Sequence, residues 1–140
     1  VRRNKHNAQK VEKVVGGQAC RFDSLAEWRY AEWLERERKA RRVRSWKHHP
    51  KALVVADALT QSDLCRMAVD FLVVRPDGLL EWHEVKGMAT AVWRLKRKLL
   101  EVLTAHQYVV IDAGRGVCRT GEGEPALFDE RPKRKRKVRK

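Results

Sequence analysis

Asp70 lies inside an apolar run, residues 65–74 (CRMAVDFLVV), and Glu84 and Lys86 stand a short way beyond it. Between them, Pro76-Asp77-Gly78 has the composition of a tight turn. Proline sets its own φ, and glycine accepts the left-handed position. A three-residue loop built as a type I turn closed by a left-handed glycine pairs Arg75 with Leu79. Counting outward from that pair sets Asp70 directly across from Glu84, and the two-residue period of a strand puts Lys86 on the same face. A slip of one residue would send the two acids to opposite faces, so the inference depends on the turn type. Carboxylates opposed across a strand pair repel and are expensive to desolvate. Either Lys86 or a divalent cation must hold them together. Mg2+ prefers oxygen ligands, keeps most of its waters and takes only one or two protein carboxylates. Asp70, Glu84 and Lys86 therefore read as a Mg2+ site with a lysine beside it. In phosphodiester hydrolysis such a metal polarises the phosphoryl group and lowers the pKa of a bound water; the lysine orients that water or stabilises developing charge. The plainer reading is a salt-bridged trio, because Glu-x-Lys is common on solvated strands. An acid inside a run that is apolar on both faces weighs against it.

The elements that position these residues follow from pattern. Residues 65–74 predict a central buried strand, with Met67, Val69, Phe71 and Val73 on one face and Ala68, Leu72 and Val74 sharing the other with Asp70. Leu79–Lys86 predicts its returning partner. Ser24-Leu25-Ala26-Glu27 has the S-x-x-E form of a helix start, the Ser24 hydroxyl accepting from the Glu27 N–H and the Glu27 side chain returning a bond. Ala26, Tyr30, Trp33 and Leu34 then form the inner face of a helix of about fifteen residues. Extended segments are predicted at 43–46 and 53–55, with 56–64 a loop. Thr90 is placed to cap a second helix running to about Leu103. Its apolar stripe is Val92, Leu95, Leu99, Val102 and Leu103, with Arg94, Arg97 and Lys98 facing away and Lys96 at the border. Residues 108–111 predict a further strand. Helix, strands with a hairpin, helix, strand: the fold class is α/β with a mixed sheet.

Thirty-two Lys and Arg against eighteen Asp and Glu give a net charge of +14, which points to a polyanionic partner. Residues 131–140 hold eight bases and no acid, and residues 1–13 hold five bases and one acid. The middle is nearly neutral. This divides the chain into a basic N-terminal arm (1–17), a folded domain (18–120) and a flexible basic tail (121–140). Cys20, Cys65 and Cys118 have no CxxC spacing and read as reduced thiols. His48-His49 has no further ligand at metal spacing and ranks low as a metal site. Of the five tryptophans, Trp33 fits the core, while Trp93 lies off the second helix's stripe and suits a dimer interface or a nucleic-acid base. No apolar run approaches a membrane span and no secretory leader is evident, so the expected setting is cytoplasmic.

Taken together, Asp70, the Pro-Asp-Gly hairpin and Glu84-Val85-Lys86 resemble the D…(D/E)-x-K core of the PD-(D/E)XK nuclease superfamily. The longer pattern is similar to its phage-encoded Holliday junction resolvase-like branch. Phe22-Asp23-Ser24 with Glu27 matches that branch's helix start, and Val43, Trp46, His49 and Pro50 match its I/V-x-x-L-x-x-Q-P element. Asp70-Phe71 matches the Asp-Phe strand; Val85-Lys86-Gly87, leading to Lys96, Arg97 and Lys98, matches the Val-Lys-Gly segment and lysine-rich helix. The likeness spans roughly residues 22–103. It departs from the family at His49, where the family has glutamine, and at Val69, where a proline would precede the aspartate.

The resemblance implies a restriction-endonuclease-like αβββαβ core, with Mg2+ or Mn2+ held by Asp70 and Glu84 and catalytic help from Lys86. Glu27 would be a further ligand or water-positioning group, alongside its capping role. The implied activity is a metal-dependent, structure-selective DNA endonuclease acting on branched DNA such as four-way junctions, as a homodimer with two active sites. DNA contacts are expected from Arg2, Arg3 and Lys5 in the arm and from Arg94, Lys96, Arg97 and Lys98 on the second helix. Lys133, Arg134, Lys135, Arg136 and Lys137 in the tail would add more. For Lys96, snorkelling along the helix competes with a reach to the scissile phosphate. Two alternatives stand: a nicking or end-processing nuclease resembling a transposase endonuclease subunit, and a non-catalytic DNA-binding module. The intact Asp70, Glu84 and Lys86 set argues against the module.

Overall fold

The computed structural model describes residues 10–56, 59–87, 89–103, 107–112, 117–119 and 126–127. In chain order they form β1 (Val11–Val15), β2 (Gln18–Phe22), α1 (Leu25–Lys39), β3 (Ser45–His48), β4 (Leu53–Ala56), β5 (Asp63–Met67), β6 (Phe71–Val74), β7 (Leu80–Lys86), α2 (Ala91–Leu103), β8 (Gln107–Asp112), β9 (Val117–Arg119) and β10 (Ala126–Leu127). A six-stranded sheet runs in the order β10-β9-β8-β7-β6-β3, while β1–β2 and β4–β5 are separate antiparallel pairs. Within the large sheet β7 and β8 are parallel and every other neighbouring pair is antiparallel. The fold is mixed α/β, a mixed sheet flanked by helices. No helix among the described residues is long and apolar enough to cross a membrane.

α1 starts where the sequence places it. Ser24 is the N-cap and its Oγ accepts from the Glu27 N–H at 3.2 Å, while Glu27 Oε2 accepts from the Asp23 N–H at 3.1 Å. Tyr30, Ala31 and Leu34 bury against Trp46, Phe71, Val73, Val85, Val109 and Ile111 on one face of the sheet. On the other face Trp93 of α2 packs with Met67, Val69, Trp82 and Tyr108. The turn between β6 and β7 also forms as expected. The Arg75 N–H donates to the Leu79 carbonyl at 2.9 Å, Gly78 sits at φ +88°, and Phe71 pairs with His83.

Four expectations are corrected. Residues 65–74 are not one strand: β5 ends at Met67, pairs with β4, and is separated from β6 by Ala68–Asp70. The break splits the expected single face, sending Met67 and Val69 to the α2 side and Phe71 and Val73 to the α1 side. The run looks apolar on both faces because the chain changes sides within it. Second, residues 11–15 of the expected arm form β1, since Gly16 and Gly17, at φ +59° and +80°, supply the two left-handed positions of a tight hairpin turn. Third, the α2 stripe faces outward. Val92 and Val102 are 66% and 83% exposed, and Leu95 and Leu99 are exposed with them, while the helix anchors through Trp93 instead. One indole buries more apolar area than any of these aliphatic side chains. Fourth, residues 126–127, in the expected tail, form a short strand that pairs with β9 at the edge of the sheet.

Candidate acidic and histidine site

β7 is buried along nearly its whole length, yet it carries Glu81, His83 and Glu84. Parallel central strands usually read as continuous apolar runs, so each of these polar side chains needs a partner. Two have one. The His83 ring is bracketed by Tyr30 Oη at 2.6 Å from Nδ1 and Glu81 Oε2 at 2.8 Å from Nε2, and Arg75 reaches Glu81 at 3.4 Å. Burial pushes the Glu81 carboxyl up, but the His83 hydrogen bond and charge, with Arg75, outweigh it and hold the group below its ordinary value. This network bolts α1 to the sheet.

Glu84 is different. Its Oε1 takes the Lys86 ammonium at 3.3 Å, while Oε2 is buried with no hydrogen-bond partner. The side chains of Glu84 and Lys86 thus share a face, as the period-two spacing requires. Continuing the β6–β7 register one residue past Phe71–His83 brings Asp70 opposite Glu84. Asp70 lies in the break after β5, where its Oδ2 accepts the Val85 N–H at 2.8 Å and its carbonyl accepts the His49 N–H at 2.8 Å. Burial pushes the Asp70 carboxyl up to about 8, with Glu84 and then Glu27 adding to the shift against the Val85 bond and Lys86. Burial also raises Glu84, opposed by Lys86. The Tyr108 phenol is driven up as well, by burial and then by Glu84 and Asp70. Three acids from separate elements therefore share one field, and the Lys86 ammonium touches Glu84 among them. Lys86 is itself steadied over the Trp93 ring, 5.4 Å from its centre.

Glu27 comes to this field from the first turn of α1. Its Oε2 stands 3.6 Å from His48 Nε2 and 3.8 Å from His49 Nε2, and His49 Nε2 is also 3.8 Å from Asp23 Oδ2. The two imidazoles stack 3.7 Å apart. Burial, and then His48, hold the His49 imidazole below its usual range. Among the described residues, Glu27, His48 and His49 form the group of three whose ligating atoms all lie within 4.8 Å of one another. Sequence reasoning ranked the histidine pair low because no third ligand is near in the chain; the fold supplies one from α1. The visible signal was the His-His-Pro step at a strand end.

The helix bases are placed as follows. Lys96 donates to the Arg66 carbonyl at 3.1 Å, and Arg94 to the Ala89 carbonyl at 3.0 Å. Arg97 pairs with Glu101 at 2.7 Å while lying about 6 Å from the Trp93 and Tyr108 ring centres. Lys98 is exposed. Trp93, read from sequence as a dimer or base-stacking residue, is buried between these bases and the sheet. Arg2, Arg3, Lys5, Lys133, Arg134, Lys135, Arg136 and Lys137 lie outside the described residues.

An acidic pair with one orphaned buried oxygen and a lysine at its rim can hold a hard cation against a phosphate ester. The oxygens of Asp70 and Glu84 suit Mg2+ or Mn2+, whereas the ligating oxygen of Glu27 groups with His48 and His49.

The chain belongs to the family described as "Protein of unknown function (DUF1064)", whose model matches residues 3–113. No curated protein and no solved structure matches the chain.

Proposed function

We propose that this DUF1064 chain is a metal-dependent DNA endonuclease of the PD-(D/E)XK type, acting on branched DNA such as four-way junctions. The carrying observation is the buried Asp70–Glu84 pair, with both carboxyls raised and Lys86 at its edge. The Val85 N–H calls for an acceptor at Asp70 but not for a second negative charge beside Glu84, and a cation would turn their repulsion into binding. The order α1-β3-β6-β7-α2-β8, three antiparallel strands followed by a helix and a strand parallel to β7, supports the αβββαβ nuclease core.

Mg2+ or Mn2+ held by Asp70 and Glu84 would polarise the scissile phosphoryl group and acidify a water, with Glu27 at the edge of the site as a water-positioning group. The chain's own groups do the rest. Val85 fixes the Asp70 carboxylate through its N–H. Lys86, its ammonium over the Trp93 ring and against Glu84, would present positive charge where charge grows on the phosphate. Arg94, Arg97 and Lys98 on α2 give phosphate contacts beside it, and the basic ends add salt-sensitive affinity without reading sequence. Paired cuts call for two active sites, hence two copies, and the outward apolar stripe of α2 is the surface whose burial would favour that pairing. The expected place of action is the cytoplasm, on DNA.

The test is a panel of labelled linear, flapped and four-way DNA in Mg2+ or EDTA. Preferential cutting of the four-way substrate supports junction resolution. Cutting of linear or flapped DNA alone moves the reading to a nicking or end-processing enzyme, and tight binding without cutting to a DNA-binding module.

A further inference from the structure

We propose that Glu27, His48 and His49 form a second cation site, different in donor chemistry from the Asp70–Glu84 pair, that takes a first-row transition-metal dication such as Zn2+ in preference to Mg2+. The distances carry the assignment. Glu27 Oε2 lies 3.6 Å and 3.8 Å from the two imidazole Nε2 atoms. A direct N–H···O bond would close to about 2.9 Å. Two ligand atoms, each about 2.0–2.1 Å from one tetrahedral ion, stand roughly 3.4 Å apart. The spacing is too long for hydrogen bonding and close to that of ligands sharing an ion.

Independent support comes from His48. Its side chain is only 7% exposed, and its Nε2 has no hydrogen-bond partner. The ring is wedged by Phe22 and Phe71, with centroids 4.5 Å and 5.2 Å away, so it cannot swing out to water. A buried nitrogen left bare is costly. A metal ion would satisfy it. His49 shows a second sign of construction. Consecutive residues of a strand point to opposite faces. At φ +44° just before Pro50, His49 instead turns its ring onto the same side as His48. Such strain persists where a site requires it.

Two imidazoles and one carboxylate suit Zn2+, Co2+ or Ni2+, whereas Mg2+ demands oxygen and dehydrates reluctantly. His49 is partly exposed, so the remaining coordination positions face solvent. Because the His49 N–H donates to the Asp70 carbonyl, an ion here also fixes the backbone that carries Asp70.

The test uses the full chain stripped with EDTA and titrated with Co2+ alone, read by its visible d–d bands, and with Zn2+ or Mg2+ by calorimetry. One equivalent of Zn2+ is expected, bound about a hundredfold or more tighter than Mg2+ at this site. His49→Ala and His48→Gln should each weaken Zn2+ by about tenfold or more, while Asp70→Asn and Glu84→Gln leave it nearly unchanged. Unaltered Zn2+ affinity in the histidine variants, or Mg2+ binding as tight as Zn2+, overturns the proposal. Circular dichroism checks folding; should His48→Gln not fold, the partly exposed His49→Ala decides. Loss of the Zn2+ site in His49→Ala, in a protein that cuts no DNA, would sink the nuclease reading and leave this one standing.

Discussion

The Asp70 carboxylate and the Val85 backbone N–H share a 2.8 Å hydrogen bond at the end of the β6–β7 pair. One side chain thereby finishes the hydrogen bonding of the ladder and stands as an acid beside Glu84. The bond favours the charged carboxylate, yet burial, Glu84 and Glu27 together outweigh it. What holds Asp70 in place is local, and Lys86 offsets only part of what burial and the neighbouring acids impose on it.

That division separates two substitutions. Asn at position 70 keeps an oxygen for the Val85 N–H and removes the repelling charge, so Asp70→Asn should melt higher than wild type in EDTA at pH 8. Asp70→Ala removes the charge but strands the Val85 N–H, offsetting the gain by about 1–3 kcal/mol. Thermal melts of the two variants side by side check this, and Asp70→Asn melting at or below Asp70→Ala would contradict it.

The same acid sets a pH dependence. Between its ordinary value of 3.8 and about 8, the folded chain holds a proton on Asp70 that the unfolded chain has lost. Stability from this group is therefore full below pH 3.8, falls as pH rises, and is gone above about 8. Glu84 is raised too and adds to the same slope. Glu35, lowered chiefly by its Arg38 hydrogen bond, and Glu81 act in the opposite direction, but only near and below the ordinary carboxylate range. Metal-free urea midpoints should decline from pH 5 to pH 8, and Asp70→Asn should flatten the decline.

The Tyr30–His83–Glu81 chain is structural. Tyr30→Phe leaves His83 Nδ1 without its 2.6 Å partner in a dry interior and should destabilise by about 1–3 kcal/mol, measured by urea unfolding. DNA cleavage per folded molecule should be unchanged, because the network serves the α1 face of the sheet.

On α2 the two faces predict opposite outcomes. Trp93→Ala empties a buried site and should cost about 3–5 kcal/mol. Leu95→Lys, on the exposed stripe, should shift monomer stability by no more than about 0.5 kcal/mol. Sedimentation of the wild type should show a dimer that Leu95→Lys dissociates; a wild type that stays monomeric at high concentration removes the stripe from the account.

Much of this was legible in the residues. The Pro-Asp-Gly turn carries its own register, so the placement of Asp70 opposite Glu84 and of Lys86 beside it needed no tertiary information. Ser24 and Thr90 likewise announce their helices, and Thr90 Oγ1 accepts the Trp93 N–H at 3.2 Å. What could not be read is whatever depends on which surface an element meets. Met67 and Phe71 look alike by period, but a break between them assigns each to a different core. The α2 stripe follows helical spacing faithfully, and the sheet takes the indole on the other side. His48 and His49 look idle because Glu27, distant in sequence, reaches them only after α1 packs.

The most direct measurement is single-turnover cleavage of a four-way DNA junction in Mg2+, comparing wild type with Asp70→Asn and Glu84→Gln. Cutting by wild type, abolished by EDTA and lowered about a hundredfold or more in both variants while junction binding persists, is the predicted result. Tight binding by wild type with no cutting in Mg2+ or Mn2+, or variants that cut at the wild-type rate, would contradict it.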